Sequence, residues 1–66
     1  MPKNLTELAE LIAKRDGISL NEAIIVVKEC MIEMERAFYD GSLNEAEDIL
    51  ADFLGLEPDY LFLFID

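Results

Sequence analysis

The amino-acid sequence predicts an all-α protein: a three-helix bundle with a long central second helix, followed by a short C-terminal helical turn. Apolar residues recur at spacings of three and four along most of the chain, as they do in amphipathic helices. Three glycines, Gly17, Gly41 and Gly55, each follow such a segment at the position where a left-handed helix C-cap is expected. Residue patterns typical of helix N-termini lie close to the first two glycines and near the start of the chain.

The first helix is predicted over residues 4–16. Asn4 is a favourable N-cap residue, and Glu7 lies three positions later, where an acidic side chain is expected in the first turn. Gly17 is expected to end this helix.

The second and third helices are predicted over residues 20–40 and 43–54. Both begin with the pentapeptide Ser-Leu-Asn-Glu-Ala, at 19–23 and 42–46. Each copy contains the S-x-x-E spacing of a capping box, in which the serine and glutamate side chains each bond to the other's backbone N–H. The two copies differ after the alanine, so a shared solution to helix capping explains the similarity better than a duplication does.

A last helical turn is predicted over residues 58–64. Pro58 suits the first position of a helix, and Glu57 and Asp59 are favourable near its positive end. The apolar run from Tyr60 to Ile65 would also suit a buried strand, but the chain offers no second strand to pair with it. At 66 residues, the chain is predicted to form a single domain, 1–66.

Helix 2 is predicted to be the central element, because about 20 helical residues span roughly 30 Å, about the full length of a domain this small. The stripe expected to face the core comprises Leu20, Ile24, Val27, Met31, Met34 and Phe38. Smaller residues beside that stripe are expected to let a neighbouring helix approach closely, and these are Ala23, Val26, Cys30 and Ala37.

A second apolar line on helix 2 consists of Ile25, Ile32 and Tyr39, spaced seven residues apart. Helices 1 and 3 are too short to cover this line as well as the main stripe, so it is expected to face the aromatic tail or another copy of the chain. We therefore predict a protein-interaction module that forms a homodimer, since small domains often gain stability by association. The predicted contact residues include Tyr60, Phe62 and Phe64 of the tail. The simpler alternative is that these are singly exposed apolar residues, which are common.

Charge is unevenly distributed along the chain. The net charge is −10, and residues 37–66 carry eight acidic residues and no basic residue. This acidity disfavours nucleic acid and anionic membranes as partners, because both present negative charge. A basic protein is the favoured charged partner, so an acidic inhibitor or nucleic-acid mimic is the alternative function. Charge that only maintains solubility is the other interpretation.

The third helix separates its apolar and acidic residues. Its predicted apolar face comprises Leu43, Ala46, Ile49, Leu50, Phe53 and Leu54. The acidic face, expected to point into solvent, comprises Glu45, Asp48 and Asp52. These three carboxylates could hold a hard cation, but a single helix face supplies too few ligands for a closed site.

Catalysis is not predicted. The chain has no histidine, and its single cysteine, Cys30, lies in the middle of helix 2, where burial would raise the pKa of the thiol. No glycine-rich phosphate loop is present, and we predict neither a cofactor nor a metal. With one cysteine, no apolar signal core and no membrane span, the sequence predicts a cytoplasmic location.

Two short segments bear a resemblance to known families. Asp40-Gly41-Ser42-Leu43 loosely resembles the Asp-Ser-Leu of acyl carrier proteins, but Gly41 separates the aspartate from the serine, so Ser42 is better explained as a helix cap. Residues 47–61, with Leu54-Gly55-Leu56-Glu57-Pro58 at their centre, resemble the ends of short acidic helical proteins of phages and prophages of Gram-positive bacteria. That resemblance implies a bacterial cytoplasmic setting and no particular activity.

Overall fold

The computed structural model describes residues 1–65, and every regular element within them is helical, which confirms the all-α prediction. The α-helices are α1 (Leu5–Asp16), α2 (Leu20–Asp40) and α3 (Leu43–Leu54). The last element is a 3₁₀ helix, Pro58–Phe64. No helix within residues 1–65 is long and apolar enough to cross a membrane.

Helix α2 runs the whole length of the molecule. Its 21 residues match the longest dimension of the described chain, 32 Å, at about 1.5 Å per residue. Helices α1 and α3 both pack mainly against α2, and the 3₁₀ helix packs mainly against α3. Since α1 and α3 have 12 residues each, they leave part of the α2 surface without a neighbouring helix.

The N-termini of the three α-helices are capped by side chains. Asn4 Oδ1 accepts a hydrogen bond from the Glu7 backbone N–H, and Ser19 and Glu22 form the complete capping box predicted for α2. The box predicted for α3 is only half formed. Ser42 Oγ accepts from the Glu45 N–H at 3.3 Å, but no return bond from the Ser42 N–H to the Glu45 carboxylate is formed within the described chain.

Two of the three glycine predictions are correct. Gly17 and Gly55 are left-handed, with φ values of 68° and 65°, as a C-cap requires. Gly41 is not left-handed, since its φ is −121°. The space beside Gly41 is crowded, because a Cβ atom on residue 41 would overlap the exposed Glu45 carboxylate and lie 3.1 Å from the Ala37 carbonyl oxygen.

Val27 and Met34 of the predicted stripe are buried, but the buried face of α2 is rotated from that stripe toward the smaller residues beside it. The buried residues are Ala23, Val27, Cys30, Met34 and Ala37, so the core is centred on the smaller side chains. Ile24, Met31 and Phe38 are only half-buried, and Leu20 is exposed. The physical reason is that two helices pack on α2, and its small residues let both backbones approach while larger residues lie at the edges.

The remaining core residues come from the elements that pack around α2. They are Leu8, Ala9 and Ile12 of α1, Ala46, Leu50 and Leu54 of α3, and Leu56 and Leu61 after it. The predicted apolar face of α3 was wrong for Leu43 and Phe53, which are exposed. Leu43 is the first residue of α3, and Phe53 lies to one side of the buried row.

Candidate interaction surface

The apolar line of α2 lies on the side of the helix that faces away from the core. Ile25, Ile32 and Tyr39 each follow a buried residue by two positions, namely Ala23, Cys30 and Ala37. Two residues correspond to about 200° of rotation around an α-helix, so the line is almost opposite the core. The exposed fractions of Ile25, Ile32 and Tyr39 are 57%, 63% and 91%.

The end of the tail lies beside the last turn of α2. Phe64 and Ile65 line the same depression as Phe38, Tyr39 and Leu43, with a volume of about 610 Å³. The structure thus brings Tyr39 and Phe64 together, as two of the residues predicted for the interaction surface. Ile25 and Ile32 do not line this depression, so the tail reaches only one end of the apolar line.

The other aromatic residues of the tail are placed differently. Tyr60 and Phe64 are half-buried and pack against the core, whereas Phe62 is exposed. Side chains three residues apart are aligned in a 3₁₀ helix, so Phe62 shares one face with the exposed Asp59, while Leu61 is directed inward. Of the three tail residues predicted from the sequence, Phe62 is therefore the most accessible.

A second apolar groove runs between α1 and α2. Leu5 and Ala9 of α1 form one wall, and Ile24, Val27 and Met31 of α2 form the other, around a volume of about 180 Å³. Lys28 also lines this groove, as Glu35 lines the depression near the tail. The exposed line of α2 is thus flanked by two apolar concavities, each with one charged residue at its edge.

We define the outer face of α2 as two apolar rows with Lys28 and Glu35 between them. The half-buried row is Ile24, Met31 and Phe38. The exposed row is the apolar line described above, Ile25, Ile32 and Tyr39. Lys28 and Glu35 each have four members of these rows at three or four residues' distance, which are neighbours on a helix surface.

Lys28 and Glu35 are both exposed, and neither forms an ion pair within residues 1–65. The ion pairs of this part of the chain are Arg36 with Glu33 and Arg15 with Asp16. The hydrogen bond between Arg15 and Asp16 lowers the pKa of the Asp16 carboxyl and raises the pKa of the guanidinium. The outer face therefore carries one positive and one negative side chain whose charges are uncompensated.

The acidic face of α3 points into solvent. Glu45, Asp48 and Asp52 are exposed, and the latter two follow the buried Ala46 and Leu50 by two positions, which places them opposite the core. Within residues 1–65, no group of three or more carboxylate or thiol side chains is arranged to hold a metal ion.

Cys30 of α2 lies in the hydrophobic core. Its side chain is fully buried, and burial raises the pKa of the thiol from its ordinary value of 9.0 to about 11. At neutral pH it is a protonated thiol without access to solvent, which is the opposite of the environment that activates a cysteine nucleophile.

Sequence patterns did not identify every residue of this surface. Leu43 and Ile65 are 58% and 52% exposed and line the depression, but Leu43 had been assigned to the core. The position of Leu43 at the first residue of α3 was the available sign of exposure, because a side chain at a helix end has fewer neighbouring residues to cover it. Ile65 belongs to the apolar run of the tail, but it follows the 3₁₀ helix in an extended conformation, with φ −107° and ψ 129°, so helical spacing does not indicate which way its side chain faces. No family model, curated protein or solved structure matches the chain.

Proposed function

We propose that this chain is a non-enzymatic protein-interaction module that self-associates as a homodimer through the outer face of α2 and the apolar end of the tail. The proposal takes the fold as a three-helix bundle whose central helix is covered on one side only. The observation that carries it is the exposure of Ile25, Ile32 and Tyr39 in one line opposite the core. Exposed large apolar side chains that are aligned on one face and bordered by charged residues are typical of association sites.

The size of the molecule is compatible with such an interface. A stable interface of standard size buries roughly 800 Å² on each partner, which is about a fifth of the 4469 Å² accessible surface of the described chain. Tyr39 has the properties of an interface anchor, because a tyrosine contributes a large contact area with few rotatable bonds. We place this association in the bacterial cytoplasm, following the composition and the resemblance to phage and prophage proteins.

The test is the mass of the protein in solution, measured by sedimentation equilibrium from low to high micromolar concentration. The wild-type chain should reach the mass of two chains, and Ile32→Glu should remain at one, because a charge would be buried in the interface. Asn44→Glu adds the same charge at an exposed position of α3 and should associate like the wild type. A wild-type mass of one chain at high micromolar concentration would contradict self-association.

A second candidate function is an acidic inhibitor or nucleic-acid mimic that occupies a basic site on another protein. It is favoured by the exposed carboxylates of Glu45, Asp48 and Asp52 and by the eight acidic residues of positions 37–66. Proteins captured by the immobilised chain at low salt should then be lost at about 0.5 M salt, where the screening length is only a few ångströms. They should also be lost with Glu45→Gln/Asp48→Asn/Asp52→Asn. Capture that survives both changes would contradict this candidate.

A further inference from the structure

The outer face of α2 is arranged almost symmetrically about its own midpoint. The exposed row Ile25, Ile32 and Tyr39 is centred on residue 32, and the half-buried row is centred on Met31. The midpoint of Lys28 and Glu35 lies between these two centres. Reversing the direction of the helix about this point therefore exchanges apolar residues with apolar residues and the positive charge with the negative one.

We propose that two copies of the chain pair through α2 in antiparallel orientation, with a two-fold axis at the level of residues 31 and 32 and Lys28 of each copy beside Glu35 of the other. This inference rests on the proposed self-association and adds its orientation and register. A two-fold axis makes each contact occur twice, so the dimer contains two such ion pairs.

Charge is the reason for choosing the antiparallel orientation. In a parallel pair about a two-fold axis along the helices, Lys28 would face its own equivalent and Glu35 would face its own equivalent, both near the middle of the interface. Like charges that are brought together and partly desolvated disfavour association. The antiparallel pair replaces both repulsions by attractions, and both side chains are exposed and have no ion-pair partner within residues 1–65.

The apolar residues match in the same register. Within the exposed row, Ile32 lies beside Ile32 of the other copy and Ile25 lies beside Tyr39. Within the half-buried row, Met31 meets its equivalent and Ile24 lies beside Phe38. The groove between α1 and α2 of one copy then lies level with the depression near the tail of the other, so Phe64 and Ile65 also contribute to the interface.

Orientation can be measured directly with one spin label per chain at position 21. The Asn21→Cys variant carries its label at the exposed start of α2, while Cys30 remains unlabelled because its thiol is buried and protonated. In the antiparallel register, the two labelled positions lie roughly 30–35 Å apart, since 21 residues separate their levels along the helix. In a parallel pair they lie roughly 10 Å apart, the distance between packed helices.

The outcomes of this experiment separate the two proposals. A dimer mass with the long distance supports the antiparallel register. A dimer mass with the short distance overturns the register and leaves self-association standing. A mass of one chain at the same concentration overturns both.

Charge exchange provides an independent test of the register. Lys28→Glu and Glu35→Lys should each weaken dimerisation by roughly five- to tenfold, because each places like charges side by side twice. The double variant Lys28→Glu/Glu35→Lys should return to within about twofold of the wild type, since the pair is re-formed with its charges exchanged. Failure of the double variant to recover would overturn the pairing, as would single variants that dimerise like the wild type.

Discussion

The carboxylate of Glu45 occupies the space that a Cβ atom on residue 41 would need, so Gly41 and Glu45 are sterically coupled across the turn between α2 and α3. A side chain at residue 41 would have to displace this carboxylate and would approach the Ala37 carbonyl oxygen, whereas the backbone of Gly41 is not left-handed. The coupling can be tested by substituting both residues.

Gly41→Ala should lower the free energy of unfolding by about 1–2 kcal/mol, because the added methyl group must displace Glu45 and crowd the Ala37 carbonyl. In Glu45→Ala the first obstacle is absent, so the same glycine substitution should cost measurably less there. Urea denaturation of the single and double variants measures this difference. Gly55→Ala is strained by the positive φ of residue 55, and its added methyl group would meet only the Arg15 guanidinium, at ordinary contact distance, so it should cost the same with or without Glu45. Additive losses for Gly41 and Glu45 would show that the contact is unimportant.

The two serine caps should differ in strength. Ser19 forms a complete capping box with Glu22, whereas Ser42 only accepts one hydrogen bond, at 3.3 Å. Ser19→Ala should therefore destabilise the protein by about 1 kcal/mol, and Ser42→Ala by less. Urea denaturation with matched conditions gives both values. An equal or larger loss for Ser42→Ala would contradict the half-formed box.

The buried face of α2 can be tested by a pair of substitutions that change volume in opposite directions. Ala23 is fully buried, so Ala23→Leu should destabilise the protein by about 1–3 kcal/mol through overpacking. Leu20 is 44% exposed, so Leu20→Ala should cost less than about 1.5 kcal/mol. Thermal or urea unfolding measures both. A larger loss for Leu20→Ala would indicate that the stripe expected from the sequence faces the core after all.

Cys30 should make stability depend on alkaline pH. The unfolded chain loses the thiol proton near the ordinary pKa of 9.0, while the folded chain keeps it up to about 11. Between these values only the unfolded state releases the proton, so its contribution to stability is complete below pH 9 and is lost as pH rises toward 11. Urea denaturation from pH 8 to 11 measures the decline.

Alkaline pH also acts on stability through the rest of the protein, so the Cys30→Ala variant is the matched control. Its stability should fall less steeply with pH than that of the wild type, whatever its absolute value. Parallel curves for the two proteins would show that the thiol is not protected by burial.

Local sequence patterns were sufficient to predict where the helices begin and end. Which faces of the helices are buried depends on tertiary packing, which the patterns do not contain. The capping residues and glycines placed the three α-helices within one residue of their observed bounds. For α2 the pattern correctly indicates that Val27 and Met34 are buried, but it misplaces the centre of the buried face. A stripe of large residues looks like a core, whereas two helices packing on one favour alanine and cysteine at the contact. The same uncertainty affected the candidate site. The exposure of Ile25, Ile32 and Tyr39 could be predicted from the lengths of the helices. The grooves beside them could not, because they depend on how α1 and the tail pack against α2.

Helices that are consecutive in sequence pack against each other, and this has a consequence for the folding rate. The major interfaces are α1 with α2, α2 with α3, and α3 with the 3₁₀ helix, so each joins elements that are consecutive in sequence. Each interface forms by closing a short loop, so little chain entropy is lost before the contacts form. Helical proteins with such local contacts fold in microseconds to milliseconds. We therefore expect the chain to bury its core early, and the proposed association through the outer face of α2 would follow as a slower, concentration-dependent step.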